Sequence, residues 1–443
     1  MPKRLKGVWI LALFVLVGLS ALSEEQAAFP FSFTQYQLEN GLRVILSEDD
    51  SLPIVSVVMA YHVGSIDEQP GKTGLAYLLE NMMFMGSLNI GPMQHISYVN
   101  RIGGTPNAST TEDITFFYET VPMNQLALVL WLESDRMKAL DINSAKVQRS
   151  KQALLDEIAQ RKLDEPYFES SLVFDRLLYS DFPHSHPILG SEEDIENLTL
   201  EEVKDFYSTF YVPNNAVLAI VGKFDLTKAK ELVERYFGTI PQGKDIPLSP
   251  PPQPLKRKQV VEVVQEALAP APAFHLGYRI APPYSPESYP LVIIDYILLK
   301  GKSSRLYRRL VQKDNLALYL SGGIEKRKDV AVFKIFVMNN SAPLAELCQK
   351  AIFSEISKLR TSYVSAGELQ RAKNMFKRDY LSRFANPQDR AMFLVETLFS
   401  PVSLENAPQE LGKYLGITPL QVIGMINRYI IPENSILLNV KTR

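Results

Sequence analysis

One cysteine, Cys348, stands among 443 residues, together with only two tryptophans and five histidines. A lone thiol cannot close an internal disulfide, which excludes a disulfide-stapled scaffold. Neither sign of charge is in excess: 47 Lys+Arg face 49 Asp+Glu for a formal net charge of −2, so nothing electrostatic points to nucleic acid. A hydrophobic content of 46% excludes a disordered or collagen-like chain and is enough for ordinary packed domains. At roughly 100 to 200 residues per domain, the length suits two to four of them.

A long apolar run is also missing beyond the N-terminus, so the mature chain is expected to be soluble and free of the membrane. The first residues do carry such a run, from Val8 to Leu19, behind basic Lys3, Arg4 and Lys6 and ahead of Ala21-Leu22-Ser23. A basic start, a short apolar stretch and small residues at a cleavage position read as a secretory signal over residues 1–23. The uncleaved alternative, a membrane anchor, would need about 20 apolar residues, and this run is shorter. Export without disulfides is compatible with a bacterial periplasm. Cys348, in the amphipathic stretch 344–359, is expected as a small buried apolar side chain.

A Pro-rich stretch at residues 241–256 divides the mature chain into an N-terminal domain, 24–240, and a C-terminal domain, 257–443. The two sides echo each other. Thr199, Val203, Pro213 and Asn215 recur as Thr418, Val422, Pro432 and Asn434, each pair 219 residues apart, and each copy reads as a capped helix, a Pro turn and a buried strand. Strands are expected at 43–47, 55–62, 260–264 and 274–278, hairpins at 104–121 and 316–338, and helices at 73–83, 125–140, 144–163, 287–299 and 303–312. Without a regular βαβ rhythm, this predicts an α+β fold: two homologous domains, each a mostly antiparallel sheet with helices packed on one face.

The segment Gly74-Leu75-Ala76-Tyr77-Leu78-Leu79-Glu80-Asn81-Met82-Met83-Phe84-Met85-Gly86 resembles the active-site helix of the pitrilysin/insulinase metallopeptidases. That family carries His-x-x-Glu-His there, two histidines on one helical face for Zn²⁺ and a Glu to take a proton from metal-bound water. The resemblance covers most of the mature chain. It makes Tyr77 and Asn81 the vestigial ligand positions, Glu80 the vestigial general base and Glu157 the surviving third ligand. A neutral phenol and an amide are poor zinc ligands, so no cofactor is expected, and zinc only if the altered site still binds metal. Where the family often has a further acid, Ser150 stands.

Further on, the stretch from Gly103 to Asp113 resembles the family's edge strand, which implies that Asn107, Ala108, Ser109 and Thr110 bind an extended peptide by strand addition. Ser303-Ser304-Arg305-Leu306 resembles a segment of the family's C-terminal domain. Active members follow it with an Arg and a Tyr that hold substrate; depending on register the positions fall on Val311 and Leu318 or on Gln312 and Tyr319, and neither choice restores the pair. Arg305, Arg308 and Arg309 are expected on a solvated helix face, and His184-x-His186 as structural or solvated. The resemblance implies a non-catalytic subunit that binds peptide or unfolded polypeptide and pairs with a related active peptidase or with a second copy of itself. The alternatives are a metalloendopeptidase with unusual ligands and a peptide-binding scaffold without a proteolytic partner.

Overall fold

The computed structural model describes residues 29–179, 181–247 and 258–442. The expected signal, 1–23, and most of the Pro-rich linker, 248–256, lie outside the described residues.

Six strands build the first sheet: β1 (Thr34–Gln37), β2 (Arg43–Glu48), β3 (Ile54–Tyr61), β4 (Thr105–Thr110), β5 (Thr115–Pro122) and β6 (Ala216–Gly222), in the order β1-β2-β6-β3-β5-β4. Five build the second: β7 (Val260–Gln265), β8 (Ala273–Ile280), β9 (Tyr319–Arg327), β10 (Val330–Met338) and β11 (Ser435–Lys441), in the order β7-β11-β8-β10-β9. In each sheet the last strand of the chain inserts beside the first of the repeat, so β6 runs parallel to β2 and β11 parallel to β7, and all other pairings are antiparallel. Apart from β1 the two orders are identical. The 219-residue echo is therefore a duplicated sheet.

The echoed residues explain how each inserted strand is set. Thr199 and Glu202 exchange side chain to backbone hydrogen bonds at the start of helix Leu200–Phe210, and Thr418 and Gln421 do the same for helix Pro419–Tyr429. Pro213 and Pro432 then open a short 3-10 turn. The following asparagine stitches the joint: the Asn215 amide donates to the carbonyls of Phe210 (2.9 Å) and His62 (3.2 Å), and Asn434 to those of Tyr429 and Arg279, both at 2.7 Å. One carbonyl in each pair closes the helix, and the other lies on or just past the end of the neighbouring strand.

Each sheet carries its own helices on one face. On the first, Val44, Val55, Val57 and Met59 pack under helices Leu75–Met82, Leu126–Lys138 and Leu226–Phe237. Alternation places Ile45, Val58, Ala60, Val217 and Ala219 on the opposite face, and these are equally buried. Their cover comes from the other half of the chain, from Phe393, Leu394 and Val395 of helix Pro387–Phe399. The exchange is mutual: Phe174 and Leu178 of helix Phe168–Leu178 pack on Val332, Ile436 and Leu438 of the second sheet. Each sheet is thus roofed by a helix from the opposite half. Cys348 is fully buried, as expected, and burial pushes its thiol up to about 11.

His275, on β8, sits inside one of these exchanged contacts, between Phe174 and Phe336 and 3.2 Å from the Ser170 hydroxyl. Burial, helped by Lys334, pulls its ring down to about 3.

Replacing Asn215 or Asn434 by Ala strands two inward carbonyls, so each variant is expected to lose about 2 to 3 kcal/mol of stability in urea unfolding. The folded chain refuses a proton at His275 that the unfolded chain accepts below its ordinary pKa of 6.5. This contribution is complete above that pH and is lost as pH falls toward 3. His275→Phe is expected to flatten the decline of stability with acidification by about 1.4 kcal/mol per pH unit, read from unfolding between about pH 6 and pH 4.

Candidate functional site

Helix Leu75–Met82 begins at Gly74, whose backbone has the left-handed φ of 89°. A side chain there would also meet the Leu189 carbonyl at 2.8 Å, so the position suits only glycine. No residue side chain at the N-cap satisfies the first amides. A buried carboxylate does so instead: Glu68 accepts from the N–H groups of Gly74 (2.8 Å) and Ala76 (2.9 Å), placing negative charge where the helix dipole favours it. His186 holds Glu68 from behind at 3.1 Å. Burial raises the Glu68 carboxyl and opposes charge on His186, yet the hydrogen bond between them leaves the imidazole above its ordinary value. The His184-x-His186 pair is structural: His184 bridges Asp181 (2.7 Å) and the Lys328 carbonyl (2.9 Å), and His186 fixes the entry of the site helix.

One turn along, Tyr77 points at helix Ser144–Asp164, where its hydroxyl donates to both oxygens of Glu157, at 3.1 and 3.0 Å. Arg161, one turn beyond Glu157, donates to Oε1 from Nε (3.2 Å) and from a terminal nitrogen (2.9 Å). Burial and then the Glu157 charge raise the Tyr77 phenol, so the hydroxyl keeps its proton and acts as donor. The Asn81 amide turns back to the Tyr77 carbonyl at 3.4 Å and makes no bond to Glu157.

Zinc does not fit these residues. Binding would require an ionised phenol, an amide of weak donor power, and a carboxylate already occupied by a guanidinium and a phenol proton. The structure brings Tyr77 and Glu157 together as the sequence motif implies, but joins them by a hydrogen bond, with the positive charge beside Glu157 supplied by Arg161.

Glu80 lies on the same helix, and its Oε2 accepts from the Thr110 hydroxyl at 2.6 Å. Burial raises the Glu80 carboxyl, and the Thr110 bond partly offsets this. Thr110 ends β4, the edge strand of the first sheet, which carries the other three expected peptide-binding residues, Asn107, Ala108 and Ser109. β4 pairs with β5 on one side only, with Asn107 opposite Tyr118 and Ser109 opposite Phe116. A hydrogen bond thus ties Glu80 to the edge strand of the sheet.

Behind this helix, one group among the described residues has metal-like spacing: His95, Glu119 and Glu133, all buried. Arg136 already engages it through Glu133. Its guanidinium pairs with Glu133 (Nε to Oε2, 3.1 Å) and lies 4.2 Å from the Phe117 ring centre, while His95 bonds Glu119 at 2.8 Å. Burial pushes both carboxyls up, Glu133 to about 8, and pulls His95 down to about 3. The group joins β5 to helices Gln94–Arg101 and Leu126–Lys138 beneath the site.

Ser150 is fully buried with its hydroxyl unpaired. Val311 packs on the second core, Leu318 and Tyr319 are exposed, and Gln312 is exposed on the same helical turn as Val311. Of the three arginines expected on a solvated face, Arg305 instead pairs with Glu368 and Arg309 with Asp314. Arg161 was not singled out from sequence, although its four-residue spacing from Glu157 on one helix was a usable signal. Glu68 had none, since its partner His186 lies 118 positions away.

Two family models match the chain in turn: "Insulinase (Peptidase family M16)" over residues 43–184 and "Peptidase M16 inactive domain" over residues 197–376. A zinc protease of Helicobacter pylori, PqqE, is 28% identical over 418 residues, 93% of this chain and 91% of the relative. An uncharacterised zinc protease of Bacillus subtilis, YmxG, is 22% identical over 77% of this chain and 82% of its own. Among solved structures, a protease from Helicobacter pylori superposes with a TM-score of 0.88 at 26% identity, over 93% of this chain and 99% of that one. Pitrilysin superposes with a TM-score of 0.76 at 20% identity, over 94% of this chain but 46% of its own. With both halves matched by models of one family, the chain belongs to the M16 insulinase/pitrilysin peptidase family.

Proposed function

We propose that this chain is a non-catalytic member of its family, an exported subunit that binds extended peptides along β4 and pairs with an active zinc metallopeptidase. The observation that carries the reading is the closed Glu157: both oxygens are held by Tyr77, and Arg161 occupies the place of the positive charge a metal would bring. Without a metal to lower the pKa of water, Glu80 has no activated nucleophile to serve. The peptide-binding edge needs main-chain groups rather than particular side chains, so it can persist where catalysis is lost.

Pairing is supported by proportion. The chain superposes on slightly less than half of pitrilysin and of the periplasmic protease PqqL from Escherichia coli, 46% and 48% of those chains. A unit of this size suits half of an enclosing chamber. Export to a periplasm rests on the signal-like residues 1–23, and no helix among the described residues is long and apolar enough to cross a membrane.

Peptidase assays on the purified chain, alone and with a relative that carries intact His-x-x-Glu-His, test the reading. No turnover is expected alone, with activity or peptide capture gained in the mixture; chelator-sensitive hydrolysis by the chain alone overturns it. The geometry also sharpens what would rebuild a metal site. Tyr77→His with Asn81→His is expected to bind Zn²⁺ only weakly, because Arg161 still claims Glu157. Adding Arg161→Ala is expected to tighten zinc at least about tenfold in a competition titration.

A further inference from the structure

Residues 305–313 place Arg305, Arg308, Arg309, Gln312 and Lys313 at three- and four-residue intervals, hence along one side of a helix. Over Tyr307–Lys313 that helix is wound more widely than an α-helix, and the Asp314 N–H reaches back five residues to the Arg309 carbonyl at 3.0 Å. Such wide turns are rare and gather at functional sites. The side faces a cleft of about 560 Å³, closed by helices Ala342–Thr361 and Ala366–Ser382, which add Lys358 and Arg371.

Six cations therefore line one concavity in a chain whose formal net charge is −2. Three are used internally. Arg305 makes a two-pronged pair with Glu368, both bonds 2.8 Å, Arg309 pairs with Asp314, and Lys358 with Glu355 at 2.6 Å. The Arg305 pair joins this helix to helix Ala366–Ser382, while the Arg309 and Lys358 pairs each lie within one segment. Arg308, Lys313 and Arg371 have no ion pair among the described residues, and all three are exposed at the cleft. An uncompensated triad held by a paired framework is the arrangement expected of an anion receptor.

We propose that this cleft binds a compact oligoanion, a chain of two or more linked phosphates. Guanidinium forks match phosphate oxygens two at a time, and adjacent phosphates concentrate several charges in the small volume that the three free cations surround. An extended acidic peptide turns successive carboxylates to opposite sides, so only every second one, roughly 6.6 Å from the next, faces a given surface. The assignment is independent of the reading of the Tyr77 helix, because it uses neither that helix nor β4.

Isothermal titration of the full chain with inorganic tripolyphosphate tests it, with orthophosphate, ATP and a hexaglutamate peptide as comparison probes. One tripolyphosphate per chain is expected, weakened by added salt and bound far better than orthophosphate. Arg308→Ala and Arg371→Ala are each expected to reduce affinity about tenfold or more, while Arg378→Ala, on the same helix as Arg371 but outside the cleft, leaves it unchanged. ATP binding as well as tripolyphosphate assigns the phosphate chain as the recognised element, and tighter ATP binding assigns a nucleotide. Absence of saturable tripolyphosphate binding, unchanged affinity in both cleft variants, or preference for hexaglutamate overturns the proposal. All three substituted residues are exposed, and unchanged thermal unfolding midpoints will show that lost binding is not lost folding.

Discussion

The fold depends on covering both faces of two sheets that are apolar on both. β3 and β6 bury their alternate residues in opposite directions, Val57 and Met59 one way, Val58 and Ala219 the other. Leaving either face in water would forgo about 1.5 to 3 kcal/mol for each large aliphatic side chain exposed. Helices local to each half cover one face. The other is covered by exchange, with helix Pro387–Phe399 on the first sheet and helix Phe168–Leu178 on the second. Neither half can bury its own sheet completely, so the two repeats are held as one body even though the chain between them is Pro-rich.

That body fixes the site helix at its start and along its length. Glu68 and His186 hold its first turn, and the contacts of Tyr77 to Glu157 and of Glu80 to Thr110 hold its middle to a neighbouring helix and to the sheet edge. The constellation that a metal would otherwise organise is organised here by hydrogen bonds. Arg161 makes this workable, because a half-buried Glu157 facing only a phenol would lack a compensating charge. Deeper in, His95, Glu119, Glu133 and Arg136 form a second buried polar group, with Arg136 against Glu133 and His95 against Glu119.

Much of the architecture was legible because it rests on local chemistry. The echo of Thr199, Pro213 and Asn215 in Thr418, Pro432 and Asn434 marks a capped helix and a turn that operate within a few residues; only the second bond of each asparagine, to His62 or Arg279, reaches far along the chain. The altered motif at Tyr77 and Asn81 was legible for the same reason, since four-residue spacing on a helix is a local property. The cationic side of residues 305–313 was legible as a pattern but not in its consequence. Whether such a side is solvated or concave depends on Glu368 and Arg371, more than fifty residues away.

The sequence by itself determined the duplicated α+β plan and which residues, Tyr77, Glu80, Asn81 and Glu157, stand where the resemblance places a metal motif. Periodicity, capping and ligand chemistry are properties of short segments and of residue identity. Only the tertiary structure decided that Tyr77 and Arg161 close upon Glu157, that His186 braces the site helix through Glu68, and that each sheet is roofed by the other half. Those contacts join residues from about 80 to 350 positions apart, except for the Arg161 pair and the short reach of Glu68 to Gly74 and Ala76, and such pairings are set by which apolar faces must be buried together.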